Sequence, residues 1–215
     1  MKLKKIASLA LAGIMAVSML TACGEGTSNS GSSSSGNTNN TSDFTSVVLS
    51  KVNDQTAALV HADSKAKLDE AIAFAATNDT ATNVRNHITI DWAKNGYNSV
   101  ALAKSKMNGS NVLFRENPSS GFNVSENGGL WNRDLPQTFW TLGIISATID
   151  DNTIAEMVAD ELDKLTYAVD NDKYDYDYAV RVAKSVCKND DLSSADDDYV
   201  VIGISLTCNR TEIKY

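Results

Sequence analysis

The strictest pattern in the chain lies near its C-terminus, where Val200, Ile202, Ile204, Leu206 and Cys208 recur at period two. Successive side chains of a strand point to opposite faces, so this spacing puts all five on one side of a β-strand and argues against a helix there. Tyr176, Tyr178, Val180 and Val182 repeat the period upstream and read as an adjacent strand. Between 139 and 149 the chain is rich in β-branched and aromatic residues and reads as a further strand, ended by Asp150 and Asp151.

Helical spacing dominates the front of the domain. Phe44, Val47, Val48, Val52 and Leu59 predict one amphipathic helix, and Leu68, Ala71, Ile72 and Ala75 predict a second behind an Asp63 cap. A third is expected from Thr80 to Asn95, with Val84, Ile88 and Trp92 on one face and Gly96 as the left-handed residue past its end. Thr153-Ile154-Ala155-Glu156 has the capping-box pattern, and Ile154, Met157, Val158, Leu162 and Leu165 continue it as a helix. Val100 and Leu102 before Asn108-Gly109, with Val112 and Phe114 after it, predict a short hairpin turning at that pair. Residues 117 to 132, rich in Gly, Ser and Asn, read as a long loop. These elements predict an α+β domain over 43–215: N-terminal helices followed by a mainly antiparallel sheet with one helix inserted between strands.

Cys187 and Cys208 test the sheet. A simple hairpin with Lys188 opposite Tyr199 separates the two thiols by about eight residues, or roughly 26 Å at about 3.3 Å per residue, beyond the reach of a disulfide. A helix over 179–188 would instead let them meet, so the pairing stays open at this point.

The N-terminus is of another kind. Lys2, Lys4 and Lys5 precede an apolar run from Ile6 to Leu20, the charge and hydropathy pattern of a secretory signal peptide. The run is shorter than the roughly 20 residues needed to span a bilayer. It ends Leu20-Thr21-Ala22-Cys23, which resembles the lipobox of bacterial lipoproteins. The resemblance implies that residues 1–22 are removed and that Cys23 becomes a lipidated N-terminus. Its partner is then the bilayer, through two acyl chains, the number that gives stable anchoring. Gly24 to Ser42 contain Gly, Ser, Asn, Thr and one acid, Glu25, and read with Cys23 as a flexible tether over 23–42 holding the domain about 25 Å from the membrane. The expected location is the extracytoplasmic face of the cell membrane.

Charge narrows the partners. The signal holds three of the 19 basic residues and none of the 27 acidic ones, leaving the mature chain 16 against 27, a net charge of −11. Such a surface repels phosphate backbones and anionic headgroups, which argues against nucleic acid and electrostatic membrane docking.

Catalytic signatures are sparse. His61 and His87 sit in no zinc-ligand motif, and no nucleophile elbow, Ser-x-x-Lys or phosphate-binding Gly loop occurs, so no metal or cofactor is expected. Neither acidic run, Asp170 to Asp177 or Asp190 to Asp198, has the spacing of a calcium loop. Aromatics give the stronger lead. Trp131 follows Gly128-Gly129 in the polar loop, with Phe139 and Trp140 close behind and Arg133 and Asp134 beside it as a polar rim. Trp131, Arg133 and Trp140 are thus the candidate binding residues, unless both Trp rings fold back onto the core. The expected function is a non-enzymatic binding module for an envelope protein or glycan. The alternative is a cell-envelope hydrolase assembled from scattered residues, led by His87 and Asp91.

Overall fold

Strand β6, Tyr199–Glu212, is the centre of the molecule, and β5, Tyr174–Cys187, pairs antiparallel with it along its whole length. The computed structural model describes residues 41–65, 67–79, 87–93, 97–122, 136–187 and 198–214. The chain divides into two units, Met1–Thr38 and Asn39–Tyr215, and all described residues fall in the second. Cys23, Trp131 and Arg133 lie outside them.

The first helix, α1, spans Thr41–Leu49 and so begins within the segment read as tether; the second, α2, is a single turn at Asp54–Ala57. Asn53 caps α2 by accepting from the Thr56 N–H at 2.9 Å. The predicted long N-terminal helix is thus broken, with Val52 and Leu59 packing on the core from outside either piece. Edge strand β1, Val60–Ala62, leads into α3, Lys67–Asn78, which buries the predicted Leu68, Ala71, Ile72 and Ala75. Then come β2 at Asp91–Trp92, α4 at Asn98–Lys106, β3 at Val112–Phe114, a short α5 at Pro118–Gly121, β4 at Gln137–Ser146 and α6 at Asp151–Asp163.

The fold class is α+β, but the sheet is mixed rather than mainly antiparallel, and several helices lie between its strands. Its order is β1-β5-β6-β4-β2, with β3 also on β4. The pairs β5–β6, β4–β6 and β2–β4 are antiparallel, whereas β1–β5 and β3–β4 are parallel. Helices α1 and α6 cover one face around Phe44, Val48, Ile154, Val158, Leu162, Val180, Ile202 and Ile204. Helices α3 and α4 cover the other around Leu68, Ile72, Val100, Trp140, Leu142 and Val201. Residues 199–208 of β6 are consequently buried on both faces, the position in a sheet where alternation is normally weakest. Its alternation survives because the face under α3 takes small residues. At Gly203 an added Cβ would lie 2.5 Å from Ile72 Cδ1, so the helix approaches the strand more closely than a side chain permits.

Three expectations need correcting. Residues 87–93 are not helical; β2 pairs with Ile144 and Gly143 of β4, and Trp92 packs where Gly143 lacks a side chain, a tertiary contact that overrides the helical spacing. Asn98–Lys106 is a helix, so Asn108-Gly109 joins a helix to β3 rather than two strands, with Gly109 at φ 154°, a value side chains rarely adopt. The cap of α6 is Asp150 and not Thr153. Its carboxylate accepts from the Asn152 and Thr153 N–H groups, each at 3.0 Å, and from the Thr153 hydroxyl at 2.7 Å. Glu156, freed from a capping role, accepts from Asn152 Nδ2 and Lys51 Nζ.

Candidate cleft on the β5–β6 ribbon

The register of β5 and β6 decides what the free end of the hairpin presents. Tyr178 faces Cys208, and beyond them the two strands continue as a ribbon in which Tyr176 faces Arg210 and Tyr174 faces Glu212. Cross-strand partners share a face, so the face that buries Tyr178, Val180 and Val182 in the core carries Tyr174, Tyr176 and Arg210 out to its rim.

The row of rings is anchored from inside. Buried Tyr178 donates its hydroxyl hydrogen to the Ala168 carbonyl at 2.9 Å and meets Tyr167 edge-on, ring centres 5.2 Å apart. Burial pushes the ionisation of both Tyr178 and Tyr167 well above the ordinary phenol range, so both stay neutral donors. Tyr176 lies nearly parallel to Tyr178 at 6.5 Å between centres, and Tyr174 follows edge-on at 6.2 Å.

The preceding loop is held by its own side chains. Asn171 Oδ1 accepts from the Lys173 and Tyr174 N–H groups, both at 2.8 Å, while the Asn171 N–H donates to the Tyr174 carbonyl at 2.9 Å. Asp170 accepts from the Tyr176 N–H at 2.7 Å. An Asx-type turn of this kind fixes the loop without a buried core. Onto it converge two cations: Arg210 lies 4.3 Å and Lys173 5.0 Å from the centre of the Tyr174 ring. The neighbouring Tyr174 hydroxyl holds the Lys173 ammonium above the ordinary lysine value, with a smaller contribution from Glu212.

Asn171, Asp172, Lys173, Tyr174, Tyr176 and Arg210 line an open cleft of about 510 Å³. Rings offer flat apolar surface, and the two cations offer charge-assisted donors. No histidine, cysteine or serine is among these lining residues.

Of the residues expected to bind, only Trp140 is among those described. Trp140 is a correction: at 1 % exposure it is a core residue of β4, meeting Phe114 edge-on at 4.9 Å, because the even positions of β4 face α3 and α4. Trp131 and Arg133 lie outside the described residues. His87 and Asp91 share no helix; the His87 carbonyl accepts from the Ser146 N–H at 3.0 Å and Asp91 pairs with Ile144. His61 faces Asp177 at 3.4 Å in an exposed pair. Among the described residues no group of His, Cys, Asp and Glu could hold a metal ion, and no helix is long and apolar enough to cross a membrane.

What the sequence reading missed is Tyr174 and Arg210. The tyrosines show at period two, but the register does not: a hairpin with Lys188 opposite Tyr199 would set Tyr176 against Thr211, whereas Cys187 stands opposite Tyr199 and brings Arg210 to Tyr176. In a comparison with known protein families, curated proteins and solved structures, none matches this chain.

Proposed function

We propose that this chain is a membrane-anchored extracytoplasmic lipoprotein whose domain is a non-enzymatic binding module, and that it contacts a cell-envelope partner through the β5–β6 cleft. The anchor rests on the resemblance of Leu20-Thr21-Ala22-Cys23 to a lipobox. The binding role rests on one observation: a prefixed row of half-buried tyrosines with Arg210 and Lys173 gathered on it, on a ribbon that projects past the core. Rigid aromatics with an adjacent arginine are the residues that dominate binding energy at interfaces, because little side-chain freedom is lost when they are covered.

Two experiments test the two halves. Cells expressing the chain and fed radiolabelled palmitate incorporate label, and Cys23→Ala abolishes it; unchanged labelling removes the anchor. The soluble chain from Gly24, which lacks the lipidated Cys23, co-sediments with purified peptidoglycan sacculi, and Tyr176→Ala lowers its affinity about tenfold or more. Sedimentation that is absent, or indifferent to that substitution, removes the cleft as the binding site.

A further inference from the structure

The ligand class follows from what the two cations do not do. Acids outnumber bases 27 to 19 in this chain, so carboxylate partners are plentiful. Lys51, Lys164, Arg181 and Lys184 each take one, pairing with Glu156, Glu161, Asp69 and Asp151. Among the described residues Arg210 and Lys173 make no ion pair, nor do Lys67 and Lys106; what sets Arg210 and Lys173 apart is that both converge on the Tyr174 ring at the cleft wall. A guanidinium held over a ring keeps its in-plane N–H donors for an oxyanion, and its planar fork matches a carboxylate.

The rest of the lining selects what carries that oxyanion. None of the six lining residues is aliphatic, so the cleft offers no pocket for the apolar anchors by which peptides are usually held. It offers instead tyrosine faces, which suit the C–H faces of a sugar ring. Its volume of about 510 Å³ falls among small-ligand sites.

We propose that the cleft binds an acidic saccharide, its carboxylate on Arg210 and Lys173 and its ring against the tyrosine row. The proposal rests on the reading of the cleft as the binding site of the module.

The test uses the soluble chain from Gly24 with trigalacturonate and, as the uncharged counterpart of the same rings, its fully methyl-esterified form, followed by calorimetry or amide NMR. Trigalacturonate is expected to bind at least tenfold more tightly than the ester, and less tightly as salt is raised. Arg210→Gln removes at least tenfold of that preference and Arg210→Lys restores part of it, with the circular dichroism of both variants unchanged. Equal binding of acid and ester, or inorganic phosphate competing as well as trigalacturonate, overturns the acidic saccharide. If neither sugar binds while sacculi are still bound in a Tyr176-dependent way, the ligand class is wrong and the binding module stands. If sacculi are not bound either, both fall.

Discussion

Arg181 of β5 and Asp69 of α3 form an ion pair inside the molecule, with side chains only 8 % and 12 % exposed. The guanidinium donates through Nε to Asp69 Oδ1 at 3.0 Å and through Nη2 to Oδ2, and its Nη1 reaches the Asp63 carbonyl. One side chain therefore ties α3, β5 and the β1–α3 turn together. A paired buried charge is worth little over an apolar pair, but a charge left alone there is costly. Asp69→Ala should lower unfolding free energy in urea by about 3–5 kcal/mol. Replacing both partners, Asp69→Leu with Arg181→Met, should recover most of that loss, and a double variant as unstable as the single one contradicts the assignment.

The approach of α3 to β6 at Gly203 makes a second prediction. Gly203→Ala drives a methyl against Ile72 Cδ1 and Cγ1, both 2.5 Å away, in a fully buried layer. Overpacking of this kind costs about 1–3 kcal/mol. Ile72→Val removes one of the two clashing atoms, so the double variant should be more stable than the sum of the two single losses predicts. Simple additivity in urea titrations would mean that the helix shifts instead.

Much of the architecture is legible in the residues themselves. Strands β5 and β6, helix α3 and helix α6 carry periods long enough to fix their type, because each keeps one continuous apolar stripe in its sequence. Elements of two or three residues cannot announce themselves: β2 exists only because Gly143 admits Trp92, a contact between positions about fifty residues apart in the chain. The cleft was half legible. Its tyrosines follow the strand period, yet Arg210 joins them only through the register, which no local pattern sets.

That register also decides the cysteines. Cys187 faces Tyr199 and Cys208 faces Tyr178, so the thiols sit nine residues apart along β6, as the count from Tyr199 to Cys208 gives, or about 30 Å. Both are buried thiols that form no disulfide. Burial pushes the Cys208 thiol from 9.0 up to about 12. A raised thiol value means that folding favours the neutral form, so its contribution to stability is full below about pH 9 and is lost as pH rises toward 12. Maleimide labelling of native protein should leave Cys208 unmodified from pH 7 to 9, where a solvated thiol reacts ever faster, and reductant should leave the melting temperature unchanged. Rapid labelling at pH 8 contradicts the packing of β6.

The cap of α6 gives a prediction with the opposite pH sense. Hydrogen bonds from Thr153, side chain first, hold the Asp150 carboxyl below its ordinary value of 3.8. A depressed carboxylate contributes stability above the ordinary value and loses it as pH falls through the folded one. Asp150→Ala should lower the urea midpoint at pH 7, Asp150→Asn should lower it less, and the gap between wild type and Asp150→Ala should close below about pH 3.8. A gap unchanged at pH 3 would place the cap elsewhere.

The binding cleft itself is tested most directly by titrating isotope-labelled mature chain with soluble peptidoglycan fragments and following its amide resonances. The account predicts shifts that cluster at Asn171 to Tyr176 and at Arg210, and that vanish in Tyr176→Ala while the remaining spectrum is unchanged. Shifts centred on another surface, or none at any fragment concentration, would contradict it.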